Sequence, residues 1–227
     1  MNGPEPLVVA IDGPSGAGKS TAARALAIRL GVPYIDTGAM YRAVGLAARE
    51  RGIALPIADP EAVATLAAAA HIELVPDSGG NRVLLDGRDV SEAIREPQIS
   101  LYASAVSAIP AVRRSLVAIQ QRLGRERGGV MEGRDIGTRV FPDTPFKFFL
   151  TADPAVRAQR RTLELAERGT PQPFEDVLRD MEKRDRDDGS RADSPLTLDD
   201  RYVLIDSTGR PLEAVVADIE GRVRKAI

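Results

Sequence analysis

Apolar residues recur at two different periods along this chain. LVVAI, from Leu7 to Ile11, is a short β-branched run with no polar interruption, and it predicts a buried strand. TAARALAIRL, from Thr21, spaces its apolar residues three and four apart among good helix formers, and it predicts a helix. PYID at 33–36 predicts a second short parallel strand, and AMYRAVGLAARERG a helix ending at Gly52. From Pro110, PAVRRSLVAIQQRL places proline at a first helical position. GGVMEGRD at 128–135 predicts a short strand running into a polar loop, and FKFFLT at 146–151 another strand. ADPAVRAQRRTLELAERG predicts a helix that stops at Gly169, followed by the charged loop and helix of TPQPFEDVLRDMEKRDRDDGSR. RYVLIDST at 201–208 predicts the last strand and PLEAVVADIEGRVRKAI a closing helix. Strands alternating with helices imply an α/β fold with a parallel core sheet flanked by helices.

Residues 53–100 break that rhythm. DPEAVATLAAAA predicts a short helix. HIELVP and NRVLLDG predict two strands around the turn DSGGN at 77–81. A hairpin of this kind belongs to a small β-containing insertion, not to a parallel core.

The chain has 227 residues, 43% hydrophobic and 28% charged, which is ordinary for a globular protein. It has no cysteine, so disulfides, thiolate catalysis and cysteine metal sites are excluded. His71 is the only histidine, and its place at the start of an apolar strand suits a structural role. No apolar run approaches the ~20 residues of a membrane span. MNGPEP lacks a secretory signal pattern, so a cytoplasmic protein is expected. The net charge of −2 and the lack of a basic stripe argue against a nucleic-acid partner. The basic residues are nonetheless unusual. Lys19, Lys147, Lys183 and Lys225 are the only lysines among 31 Lys+Arg, so 27 are arginines. Guanidinium forks match phosphate oxygens, so position decides whether any of them serve that purpose.

GPSGAGKST, residues 13–21, lies between the first strand and the first helix. Gly13, Gly18, Lys19 and Ser20 fit the phosphate-loop pattern G-x-x-x-x-G-K-[ST]. Glycines let backbone N–H groups turn inward around phosphate oxygens, and the helix that follows adds its positive end. The expected nucleotide-binding residues are Gly13, Pro14, Ser15, Gly16, Ala17, Gly18, Lys19, Ser20 and Thr21. Lys19 would reach the β- and γ-phosphates, and Ser20 would ligate Mg²⁺. A nucleoside triphosphate with Mg²⁺ is the expected ligand. No Asn-Lys-x-Asp guanine reader is present, which disfavours a GTPase. A kinase must hold a second anion facing the γ-phosphate, and cations from several segments should converge there. Candidates are Arg42, Arg113, Arg134, Arg157, Arg160, Arg161, Arg184, Arg186 and Arg191. Arg134 stands out because EGRDIGT follows an apolar strand directly, where α/β sheets place ligands.

DGPSGAGKST, DTGAMYR, GRDIGT with VFPD, RAQRR and RDRDDGSR together resemble the bacterial cytidylate kinase family of nucleoside monophosphate kinases, from about Val8 to the closing helix. The resemblance implies a P-loop nucleoside monophosphate kinase fold in three parts. Residues 1–40, 105–152 and 190–227 would form the core, 41–104 a monophosphate-binding insertion, and 153–189 a short lid. It implies a monomer that phosphorylates CMP and dCMP from ATP. By motif, Thr37, Arg42, Ser104, Arg113, Arg134, Asp135, Arg184, Asp188 and Arg191 would line the CMP site. Ser104, Arg113 and Asp135 would face cytosine, Arg184 and Asp188 the sugar, and Arg42, Arg134 and Arg191 the phosphate. Arg157, Arg160 and Arg161 would approach ATP on lid closure, with Lys19, Arg134, Arg160 and Arg191 as the catalytic cations. An acceptor such as UMP, AMP or shikimate would suit the same loop. So would a regulatory or nucleic-acid-binding module without a small-molecule acceptor.

Overall fold

The computed structural model describes residues 6–77, 80–191 and 193–227. In chain order the elements are β1 (Val8–Asp12), α1 (Lys19–Leu30), β2 (Tyr34–Asp36), α2 (Thr37–Glu50), α3 (Pro60–Ala69), β3 (Ile72–Asp77), β4 (Gly80–Leu85) and β5 (Arg88–Asp89). They continue with α4 (Pro97–Ser107), α5 (Pro110–Arg127), β6 (Gly129–Gly133), β7 (Phe146–Thr151), α6 (Pro154–Glu167), α7 (Phe174–Gly189), β8 (Val203–Asp206) and α8 (Leu212–Arg224). The sheet of five strands has the order β2-β6-β1-β7-β8, and β3, β4 and β5 form a separate sheet.

The chain packs as two compact units, one of residues 1–7 and 32–131, the other of residues 8–31 and 132–227. In the second, β1 pairs in parallel with β7, Val9 opposite Phe146 and Asp12 opposite Phe149. β7 pairs in parallel with β8, Phe148 opposite Val203. All five residues of β1 are buried, which explains its unbroken apolar run. The step from β1 into the following loop needs glycine. Gly13 has φ +145°, and a Cβ there would meet the Leu150 carbonyl oxygen at 2.0 Å.

In the first unit β3 and β4 are antiparallel, Ile72 opposite Leu85. The tip of the expected turn at 77–81, residues 78 and 79, lies outside the described residues, as do residues 1–5 at the expected leaderless start. Asn81 of β4 donates to the Tyr34 carbonyl at 3.1 Å, so the hairpin is stitched to β2. Helices α2 and α4 approach closely at Gly45, where a Cβ would come within 3.0 Å of the Ala103 backbone nitrogen.

Two differences from the expected elements bear on function. Helix α1 begins at Lys19, not Thr21, so the loop lysine is already helical. Helix α4 was not foreseen. Its apolar residues Ile99, Ala103 and Val106 do repeat at three and four, but PQISLYASAVS carries four polar residues that blur the pattern.

Candidate functional site

The loop after β1 is built for anions. Gly16 and Gly18 take φ of +74° and +88°, in the left-handed region that glycine enters without strain. Gly18 is the N-cap of α1, no side chain caps that helix, and its first turn holds no acidic residue. Its leading N–H groups and positive end are therefore suited to phosphate oxygens. Lys19 is buried, and its ammonium donates to the Pro14 carbonyl at 2.7 Å across the same loop. Burial, with the Arg134 guanidinium nearby and that of Arg184, pushes its pKa down to about 7, while Glu132 and Asp12 pull it back. A buried cation repelled by two others is poorly compensated, and a polyanion in the loop would relieve it.

Ser20 is exposed, and its hydroxyl donates to Glu132 Oε2 at 2.9 Å. Glu132 is itself buried near the end of β6. Hydroxyl and carboxylate oxygens suit Mg²⁺, which commonly takes one or two protein oxygens and fills the rest of its shell with phosphate and water. No group of three or more His, Cys, Asp or Glu able to hold a metal exists among the described residues. The donor set therefore fits a Mg²⁺ ion that arrives with a nucleotide.

The polar loop after β6 carries Arg134 and Asp135. Arg134 Nε donates to Asp188 Oδ2 at 2.8 Å, and Arg191 pairs with the other oxygen of Asp188. Asp188 is 1% exposed on α7. Burial would raise its pKa, but the guanidiniums of Arg134, Arg191 and Arg184 outweigh that and hold it below the usual carboxylate range. Arg134, Arg184, Asp188 and Arg191, four of the nine expected acceptor contacts, thus meet in one cluster with Lys19 within its field.

Three arginines of α6 divide. Arg157 is buried; its Nε donates to the Ala152 carbonyl at 3.0 Å, and its Nη1 to the Ser15 carbonyl at 3.1 Å and to Asp185 at 2.6 Å. Arg160 donates to the Ser207 hydroxyl at 3.0 Å and carbonyl at 2.9 Å, and Ser207 in turn donates to the Ala17 carbonyl at 3.0 Å. Both therefore support the phosphate loop from α6. Arg161 instead pairs with Glu164 on its own helix.

Of the five remaining expected contacts, Asp135 follows Arg134 in the second unit, and the first unit holds the other four in two groups. Asp36 caps α2 by accepting from the Ala39 N–H at 2.9 Å, and Arg42 pairs with it at 3.3 Å, beside Thr37 in the first turn. Arg113 on α5 lies with its guanidinium carbon 5.4 Å from the Tyr41 ring centre and donates to the Ser107 carbonyl at 3.2 Å. The Ser107 hydroxyl donates to the Ser104 carbonyl at 2.8 Å, so Ser107 links the two, through its carbonyl to Arg113 and through its hydroxyl to the Ser104 backbone.

Asp12, Glu132, Tyr202, Asp185 and Ser207 escaped the sequence reading. Asp12 and Glu132 had a signal, since each is an acid near the carboxyl end of a buried strand. Tyr202, Asp185 and Ser207 had none, because their partners lie far away in the chain. His71 is exposed, 3.3 Å from Glu73.

A family model described as cytidylate kinase matches residues 9–225. A cytidylate kinase of Caldanaerobacter subterraneus subsp. tengcongensis is 49% identical over 217 residues, 96% of this chain and 94% of that protein. One of Geobacter sulfurreducens is 48% identical, covering 96% of this chain and 93% of the relative. A solved structure of an uncharacterized protein from Eubacterium ventriosum aligns with 96% of this chain and 98% of its own at a TM-score of 0.53 and 11% identity, a likeness of fold alone.

Proposed function

Because the chain belongs to the cytidylate kinase family, we propose that it transfers the γ-phosphoryl group of ATP to a phosphate oxygen of CMP or dCMP, giving ADP and CDP or dCDP. The observation that carries this reading is the arginine cluster within reach of the loop lysine. Lys19, Arg134, Arg184 and Arg191 gather charge from a phosphate loop, a strand-end loop and a helix, as two approaching phosphates require.

The acceptor phosphate has a second pKa near ~6 and is largely a dianion at neutral pH, so no strong general base is needed. Catalysis is then positioning and charge neutralisation. Lys19 holds the β- and γ-phosphates against the N-terminus of α1. Arg134 and Arg191 exchange the Asp188 carboxylate for the acceptor phosphate, and the released carboxylate accepts from a sugar hydroxyl, with Arg184 beside it. Arg42 adds a further phosphate contact. Asp135 accepts from the cytosine amino group, while Ser104 and Arg113 serve its acceptor atoms. A carbonyl at position 4, as in uracil, meets Asp135 with repulsion. Ser20 and Glu132 hold Mg²⁺, which when bound neutralises phosphate charge. Residues 153–189 act as the lid and 41–104 as the monophosphate-binding insertion, and together they exclude water. The protein works as a cytoplasmic monomer.

ADP release with ATP–Mg²⁺ against CMP, dCMP, UMP, AMP, GMP and shikimate tests the reading. Release strongest with CMP and dCMP is expected. Preference for another acceptor keeps the phosphate loop and overturns the cytosine assignment.

A further inference from the structure

Asp12 is fully buried at the end of β1, one residue before the phosphate loop. Both of its oxygens are engaged from distant parts of the second unit. Oδ1 accepts from the Ile136 N–H at 2.9 Å. Oδ2 accepts from the Gly137 N–H at 2.8 Å and from the Tyr202 hydroxyl at 2.7 Å.

Ile136 and Gly137 open a single π-helical turn, Ile136–Val140, which directly follows Arg134 and Asp135. A turn of this kind leaves its first N–H groups without partners inside it. An aspartate at the preceding position ordinarily supplies them through its own carboxylate. Asp135 occupies that position and makes no such bond. Asp12 takes the role from a strand 124 residues away. The fit leaves little tolerance, because a Cβ on Gly137 would meet the Tyr202 hydroxyl at 2.7 Å.

The geometry points to Asp12 as a positioning residue: it caps the turn in place of Asp135, relieves Asp135 of that task, and fixes the Arg134–Asp135 pair in register with the start of the phosphate loop. Tyr202 completes the device by holding the second oxygen of Asp12. Donor loop and acceptor loop are thereby set by one carboxylate. This rests on the reading of Arg134 and Asp135 as acceptor contacts.

Steady-state kinetics of Asp12→Asn and Tyr202→Phe test it, with melting curves to establish folding. An asparagine presents an amide N–H₂ where one N–H now finds an oxygen, and the phenylalanine removes one donor while keeping the ring. The expected result for Asp12→Asn is a KM for CMP raised about tenfold or more with the KM for ATP within about twofold, and a smaller CMP-over-UMP preference in kcat/KM. Tyr202→Phe should move the same quantities in the same direction, by about threefold. If Asp12→Asn fails to fold, Tyr202→Phe decides alone. Folded variants whose two KM values stay unchanged, or rise together, overturn the proposal. Asp135→Asn tests the underlying reading separately. If it leaves the CMP-over-UMP preference intact, base reading by Asp135 falls, while the KM split in the other variants still decides the role of Asp12.

Discussion

Under the proposed reaction, Arg134 should matter to chemistry more than to stability. Its partner Asp188 is buried, but Arg191 and Arg184 remain beside that carboxylate if Arg134 is truncated. Arg134→Ala should therefore cost only about 1–2 kcal/mol of stability, by urea unfolding. It should lower kcat by about a hundredfold, in an ADP-release assay. Asp12 gives a prediction of opposite character. Burial, set against the donors Gly137, Tyr202 and Ile136 and reinforced by nearby Asp135, pushes its pKa up to about 6 from an ordinary 3.8. Between those values the unfolded chain has released the proton and the folded one still holds it, so stability falls as pH rises through that window. The loss contributed by this one group is about 2–3 kcal/mol and is complete above about pH 6. Asp12→Asn has no such titration, so its stability deficit relative to the unmutated protein should shrink from pH 4 to pH 7, measured by denaturant unfolding at each pH.

Helix α6 supports the glycine-rich loop from behind. It packs on α7 through Ala158, Leu165, Val177 and Met181, which places Arg157 and Arg160 toward the phosphate loop and leaves Arg161 paired along its own helix. Gly16 records how tight this is, since a Cβ there would lie 2.9 Å from the Arg157 carbonyl oxygen. Arg157 spans Ala152, Ser15 and Asp185 at once, so it braces the loop from behind. Arg157→Ala should raise the KM for ATP by about tenfold and cost about 2–3 kcal/mol, because Asp185 and two carbonyls lose a charged donor. Arg157→Lys should recover little, since an ammonium cannot reach three acceptors in a plane. Paired KM and melting measurements on both variants check this.

For the whole molecule, the prediction concerns linkage. A ligand that binds only the folded chain stabilises it by about 2.7 kcal/mol at a hundred times its Kd. In a chain of this size that raises the melting temperature by about 5–10 °C. CMP should do so at concentrations where UMP does little, and ATP–Mg²⁺ should do so independently. Equal shifts from CMP and UMP would place discrimination outside ground-state binding. No helix among the described residues is long and apolar enough to cross a membrane.

Local pattern alone determined most of the elements and the donor loop. LVVAI, FKFFLT and the helical repeats fold as their periods require, because buried parallel strands and amphipathic helices carry their signals within a few residues. GPSGAGKST was legible for the same reason, since backbone turning and helix start are local properties. Tertiary structure alone decided which charges meet. The capping of residues 136–137 by Asp12, the Arg134–Asp188–Arg191 cluster and the Arg160–Ser207–Ala17 chain join residues that lie apart in sequence. It also decided that Arg161, next to Arg160, turns elsewhere. Nothing in a one-dimensional pattern records which end of a strand faces which helix, and the energy of a buried charge depends on its burial and on the partners that such facing supplies.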